Sequence, residues 1–293
     1  MQPGPAHDDR PNHAGGIAPA VHPDHAGRYA SLTTPPLALA PLVRRWTTAP
    51  VPQSPLPPLK RPTELPRLPA GAASGTPSDP LVPVDRPIDE PADLLAEPSA
   101  DARRRASRVL AVNAYRATGW PATTDTVYVR STIVERLHRV AARLPEGFGL
   151  GVFDGWRSLE LQQALFDDAY ATPGLPPGFV AEADPDPGAP PPHLTGATVD
   201  LTLTFERRPL ALGTDFDDFT SAAHADHLEH SAGIVRDLRR LLYHAMRTED
   251  FVVLDCEWWH FEHGTRYWAA VTGGTPTMGA APRQRAERPG TEP

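Results

Sequence analysis

Proline placement sets the first limit on what this chain can fold into. Of 37 prolines in 293 residues, 22 fall within the first hundred positions. Each one removes a backbone N–H and fixes φ, so neither a helix nor a paired strand runs far through such a stretch. The apolar residues there keep no sustained period. The segment therefore buries too little surface to offset its ordering entropy. Residues 1–100 are expected to be a Pro/Ala-rich disordered tail. The roughly 180 residues that follow suffice for one compact core. Residues 101–271 are expected to form one domain, and 272–293, again rich in Gly and Pro, a second disordered tail.

Charge and cysteine usage remove several function classes. The formal net charge of -8 argues against a broad nucleic-acid-binding face. The basic run Arg103-Arg104-Arg105 reads as solvated linker. A single cysteine, Cys256, excludes an internal disulfide. It reads as a small buried apolar residue rather than a nucleophile. The best apolar run, Leu37–Val43, is interrupted by Pro41 and is too short to span a bilayer. The first residues lack the basic and apolar regions of a signal peptide. A cytoplasmic protein with no membrane and no nucleic-acid partner is the expectation.

Periodicity outlines the domain. Val109–Val112 reads as a short strand. Ile133, Leu137, Val140, Ala141 and Leu144 recur at helical spacing, so Thr132–Leu144 is expected to be a helix. Phe148–Phe153 reads as a strand, and Ser158 as the N-cap of a helix through Tyr170. Thr172–Pro192 is crowded with Pro, Gly and Asp and must be a long loop, a kind that often forms lids or insertions beside sites. Ala197–Phe205 is the clearest strand. Its apolar residues alternate with Thr198, Asp200, Thr202 and Thr204, which places Asp200 on the face away from the apolar one. A helix from His230 or Ser231 to Arg247 and a strand at Phe251–Leu254 follow. Helices and strands mix without a βαβ repeat, so the expected fold is α+β with a small, mainly antiparallel sheet.

Two stretches carry the chemistry. His193-Leu-Thr-Gly-Ala-Thr-Val-Asp200 and Glu257-Trp-Trp-His260 offer two imidazoles, one metal-binding carboxylate and one spare carboxylate. A catalytic zinc site needs three protein ligands, an open position for water and a base. Spacing alone leaves two readings open. One is a metal site. The other is a core strand with Trp packing and a hydrogen-bonded His, because residues three apart on a strand face opposite ways unless it bulges or ends. His224, His227 and His230 form a second histidine run, read as site-lining or exposed. His263 reads as surface. Trp156, Trp258 and Trp259 read as core packing under the site.

Several motifs in order resemble the zinc D-alanyl-D-alanine dipeptidase family. They are His193-x6-Asp200 followed by Leu-Thr-Leu, then Leu212-Gly213-Thr214-x-Phe216-Asp217, then Glu257-Trp258-Trp259-His260-Phe261. Upstream, Asn113-x-Tyr115-x-x-x-Gly119 and Phe153-Asp154-Gly155-Trp156-Arg157 are similar to further family stretches. The resemblance covers about Arg105 to Trp268. It implies one zinc per chain held by His193, Asp200 and His260, and Glu257 as general base and acid. It implies Arg157 as stabiliser of the transition state, and Asp217 as receiver of the substrate's free amino group. The implied reaction is hydrolysis of a small D,D-dipeptide, with D-Ala-D-Ala the leading candidate.

Three departures bear on substrate recognition. The family's Ser two residues before the first ligand, which helps hold the substrate carboxylate, is here Pro191. The Ser-Arg-Gly that follows that ligand is here Leu194-Thr195-Gly196. A tyrosine usual in the first strand is replaced near Arg108-Val109. The alternatives carried forward are a peptidoglycan D,D-carboxypeptidase or endopeptidase with the same tripod, and a zinc-binding interaction module that has lost catalysis.

Overall fold

The structure, a computed structural model, describes residues 27–36, 54–72, 79–85, 108–171, 175 and 179–282. The domain is built on the strand with the strongest alternation, β5 (Thr198–Phe205). Along one edge it pairs antiparallel with β4 (Phe148–Asp154), from Phe148↔Phe205 to Asp154↔Asp200, with a register shift after Val152. Along the other edge, near its start, it pairs antiparallel with β8 (His260–Glu262), which sets Asp200 opposite His260. Outside these lie β2 (Val109–Ala111), parallel to β4, and β7 (Val252–Val253), antiparallel to β8. The short β6 (Arg208–Pro209) folds back on the end of β5. Strand order is β2-β4-β5-β8-β7, a small and mainly antiparallel sheet with helices, as expected.

Two amphipathic helices cover the sheet. In α2 (Ser131–Arg143) the helically spaced Ile133, Leu137, Val140 and Ala141 are buried. In α4 (Ile234–Arg247) Leu238, Leu241, Leu242 and Ala245 are buried, and the two helices pack on each other. The second helix starts later than its sequence suggests. Gly233 at φ 132 holds a backbone conformation that side chains rarely tolerate, and helical geometry begins only after it. The short α1 (Ala114–Ala117) follows β2, and α3 (Leu159–Tyr170) follows β4. The hydroxyl of Ser158 accepts from Leu161 N–H at 3.2 Å and caps α3 as expected. Last comes α5 (Arg266–Thr272), capped by Thr265. Among the described residues no helix is long and apolar enough to cross a membrane.

Three pieces of the segment expected to be a tail pack on the domain instead. Tyr29, Leu68, Val82 and Val84 are buried, and β1 (Leu81–Pro83) pairs antiparallel with β3 (Tyr128–Arg130). Asp79 caps α2 from outside it, accepting from Thr132 N–H at 3.0 Å, Ser131 Oγ at 2.8 Å and Thr132 Oγ1 at 2.7 Å. The expected C-terminal tail is likewise tied down as far as Ala281, whose carbonyl accepts from Trp156 Nε1 at 2.7 Å. These pieces lack periodicity because each buries isolated side chains rather than a face. The Leu37–Val43 and Arg103–Arg105 runs lie outside the described residues.

The threonine face of β5 is covered as well: Thr198, Asp200, Thr202 and Thr204 are all buried. Thr202 Oγ1 donates to Leu210 O at 2.8 Å, which satisfies a hydroxyl that alternation alone would put in water.

Candidate active site

The site forms where β5, β8 and the turn before β5 meet. His193 opens a single 3-10 turn, His193–Thr195, closed by Gly196 at φ 67. This turn needs glycine for its conformation, and a Cβ there would in addition lie 2.5 Å from Leu81 Cδ2, displacing the tip of that side chain. Buried Arg130 pins the turn by donating to Thr195 O at 2.7 Å. Asp200 is the third residue of β5, directly across from His260 at the head of β8. The ambiguity over Glu257 and His260 is resolved locally. The chain turns through Trp258 and Trp259 and becomes strand only at His260. Glu257 Oε2 therefore reaches 3.5 Å from His260 Nδ1, although an ideal strand would send the two side chains to opposite faces.

His193, Asp200 and His260 present ligand atoms within 4.8 Å of one another, and all three are buried. Hydrogen bonding orients both rings. His193 Nδ1–H donates to Gly155 O at 2.8 Å, leaving Nε2 to face Asp200 Oδ2 at 3.3 Å. His260 Nε2–H donates to Glu262 Oε1 at 2.9 Å, leaving Nδ1 to face Asp200 Oδ1 at 3.0 Å. Each ring thus turns a lone pair toward a carboxylate. Asp200 Oδ1 is buried and receives no hydrogen bond of acceptable geometry, despite its 3.0 Å approach to His260. Two imidazole lone pairs around a buried, orphaned carboxylate require positive charge between them. A divalent ion of the zinc type, whose ligands are neutral imidazole and carboxylate oxygen, fits that donor set. In its absence a proton must serve. Burial disfavours the imidazolium of His260, but Asp200 and Glu262 outweigh it and hold its pKa well above the usual value. Burial would raise the Asp200 pKa, and the two imidazoles reverse that and hold it far below the carboxylate range.

Around this cluster the other candidate residues converge. Glu257 is half-buried, and its partial burial, reinforced by Asp200 and Asp217, raises its pKa against the opposing pull of His260 and Arg157. Burial works against the Arg157 guanidinium, but Tyr115, Asp154, Asp200 and Asp217 keep it charged. It donates to Asp154 Oδ2 at 2.9 Å, Gln162 Oε1 at 3.0 Å and Tyr115 Oη at 3.1 Å, and its Nη2 lies 3.6 Å from Asp200 Oδ2. Asp217 sits in the left-handed region at φ 56 and accepts from Tyr115 Oη at 2.9 Å. Its pKa is pushed up to about 7, chiefly by burial. These groups line one cleft of about 500 Å³, together with Pro191, Phe219, Leu65 and Arg266.

Two side chains here have roles that the sequence did not assign. Glu262 orients His260, and the His-x-Glu spacing on a strand, which puts both on one face, is the signal that would have found it. Tyr115 bridges Asp217 and Arg157, and no periodicity marks it. Other assignments changed. His263 is half-buried between the rings of Phe251 and Trp268 rather than at the surface. His224, His227 and His230 form no metal-binding group; among the described residues the only such group is His193, Asp200 and His260. Trp156, Trp258 and Trp259 are buried as expected. Burial, with Glu257 and Asp255 close by, raises the Cys256 thiol pKa, which fits an unreactive residue.

Comparison with known proteins agrees with the geometry. A family model described as D-Ala-D-Ala dipeptidase matches residues 92–271. A D-alanyl-D-alanine dipeptidase of Synechocystis sp. is 24% identical over 175 residues, which is 48% of this chain and 71% of that protein. A D-alanyl-D-alanine dipeptidase of Escherichia coli is 32% identical over 118 residues, 40% of this chain and 55% of that protein. With the family model covering well over half of its length, and the His-Asp-His cluster assembled at the strand pairing where the motifs meet, the chain belongs to the D-Ala-D-Ala dipeptidase family of peptidases.

Proposed function

We propose that the protein hydrolyses the peptide bond of a free D,D-dipeptide, D-Ala-D-Ala, using one zinc ion held by His193, Asp200 and His260. The observation that carries this reading is the pair of buried imidazole lone pairs aimed at an orphaned carboxylate, with Glu257 3.5 Å from His260. Zinc bound there polarises the scissile carbonyl and lowers the pKa of water at the site.

The protein groups do the rest. Asp217 receives the substrate's ammonium, which selects dipeptides with a free amino end. Tyr115 orients that carboxylate and at the same time accepts from Arg157. Glu257 takes a proton from the attacking water as its oxygen bonds to the carbonyl carbon, then delivers it to the departing nitrogen as the C–N bond breaks. Two molecules of D-alanine result. Arg157, held by Asp154 and Gln162, donates toward the carbonyl oxygen as negative charge develops on it. Glu262 fixes the His260 ring, and Gly155 O fixes His193.

The test is D-alanine release from D-Ala-D-Ala by purified protein, with zinc or chelator added, beside N-acetyl-D-Ala-D-Ala and L-Ala-L-Ala. Zinc-dependent release from the free D,D substrate alone is the expected outcome. Glu257→Gln should retain zinc and lose roughly 10²–10⁴-fold in kcat. Cleavage only of the blocked substrate would replace this reading with the carboxypeptidase, and zinc binding without turnover would replace it with a binding module.

A further inference from the structure

A dipeptide is a zwitterion, and Asp217 accounts for only its ammonium end. The family's usual carboxylate partner two residues before the first ligand is here Pro191, which has no donor to offer. Besides the two ligand imidazoles, the cationic side chains among the described residues that line the cleft are Arg157 and Arg266. Arg157 is already engaged with Asp154, Gln162 and Tyr115.

Arg266 is placed differently. Its Nε donates to Pro66 O at 2.8 Å and its Nη2 to Leu65 O at 3.2 Å. These are neutral carbonyls, and among the described residues no carboxylate lies within ion-pair distance of it. The nearby acids are committed elsewhere. Asp186 pairs with Arg67 at 2.6 Å, Asp184 Oδ1 accepts from Asp186 N–H at 2.9 Å, and Glu262 accepts from His260 and from Thr265. One edge of the guanidinium is thus fixed by main chain, and the remaining Nη1 and Nη2 donors have no protein acceptor among the described residues. A half-satisfied, rigidly held guanidinium on a cleft wall is suited to a carboxylate.

The segment holding Arg266 is a strap, residues 54–72, that precedes the family-matched region 92–271. Several contacts anchor it to the domain. Arg61 pairs with Asp255 at 2.9 Å, Lys60 Nζ donates to Val271 O, Tyr267 Oη donates to Lys60 O at 3.4 Å, and Leu68 N–H donates to Gly188 O at 3.0 Å. Leu65 lines the cleft and is 38% exposed, the one large apolar side chain among the described residues left so open. An uncovered leucine beside a carboxylate-binding guanidinium suits a small apolar side chain next to a terminal carboxylate.

We infer that Arg266, held by the carbonyls of Leu65 and Pro66, binds the C-terminal carboxylate of the substrate, and that the strap supplies this half of the recognition site. The inference rests on the dipeptidase reading. It assigns the second charge of the zwitterion, and it gives residues 54–72 a role in specificity.

The experiment compares full-length wild type, Arg266→Gln and Arg266→Lys on D-Ala-D-Ala and on its C-terminal amide, with zinc content and Tm recorded for each. Glutamine keeps a donor for the strap carbonyls but removes the charge. Arg266→Gln is expected to raise KM for the free dipeptide roughly 10–100-fold, as for loss of a charge-assisted contact, while kcat changes little. Its KM for the amide should stay within about 3-fold of wild type, because the amide offers no charge to lose. Arg266→Lys should recover part of the loss. Equal losses on both substrates, or none on either, overturn the inference while wild-type turnover leaves the dipeptidase reading standing. Failure of wild type to cleave the free dipeptide overturns both. If Arg266→Gln fails to fold, the lysine variant decides: a KM for the free dipeptide no higher than wild type, relative to the amide, refutes a bidentate anchor.

Discussion

Replacing Arg130 by Met removes the charge that ties the His193 turn to the segment before β1 and to the segment after the last helix. Arg130 is buried and donates to Thr195 O at 2.7 Å, Asp79 O at 3.2 Å and Gly279 O at 2.8 Å. Met fills a similar volume and donates nothing, so three buried carbonyls lose a donor. Hydrogen bonds from a charged donor contribute about 1.5–3 kcal/mol each. An offset is built in: burial already disfavours the guanidinium, lowering its pKa against the pull of Asp79, and its removal recovers that cost. The net expectation is a loss of roughly 2–4 kcal/mol, a large share of the 5–15 kcal/mol typical of a domain. For a domain of this size it corresponds to a fall in Tm of roughly 4–16 °C. Urea unfolding in chelator, where metal binding adds nothing to stability, measures it as a shift in midpoint at constant m. Because Thr195 follows two residues after His193, zinc affinity by chelator competition should fall as well. A stability loss under about 0.5 kcal/mol, with m unchanged, would refute the assignment of Arg130 as the clamp on this turn.

Two further outcomes follow from other contacts. Asp79→Ala removes the cap on α2 supplied to Ser131 and Thr132, and should cost about 1–2 kcal/mol in the same urea assay, with Asp79→Asn costing less. The His263 pKa is lowered to about 4, chiefly by burial, with Arg136 adding to it. A depressed histidine binds its proton more readily unfolded, so its share of stability is complete above the unfolded pKa near 6.5 and drains away as pH falls toward 4. His263→Phe, filling the space between Phe251 and Trp268, should flatten that limb of a Tm-versus-pH profile between 6.5 and 4, and an unchanged slope would count against it.

Legibility in the sequence followed the kind of signal each part leaves. The β5 strand, the α2 helix and the cap at Ser158 were readable because alternation, helical spacing and a hydroxyl before an apolar run are local patterns. His193, Asp200 and His260 sat in ordered motifs, and the structure brings them together at one strand pairing. What escaped was non-local. Tyr29 packs against Tyr115 and Phe216 at ring separations of 6.1 and 5.0 Å, yet it stands alone among prolines with no periodic neighbours. Leu68, Val82 and Val84 are buried in the same isolated way. The burial of the β5 threonines was not legible either, because alternation reports which residues share a face and says nothing of what covers it. Arg266 could not be singled out, since its role depends on two carbonyls about 200 residues earlier.

The strap has a consequence for the order in which the site can be completed. Its bonds to the last helix close chain loops of 200 to 211 residues. Contacts so far apart in sequence are the costliest to close early in folding, and on a ribosome Lys60 emerges long before Val271 exists to receive it. The wall bearing Leu65 therefore waits for a sheet and helices that are already in place. Held by exposed hydrogen bonds and ion pairs and by the packing of Leu56, Leu59 and Leu68, it is expected to open at a lower free energy than the central strands. Zinc chemistry and substrate grip would then reside in units of unequal stability: a ligand cluster rooted in the most buried strands, and a removable wall assembled last.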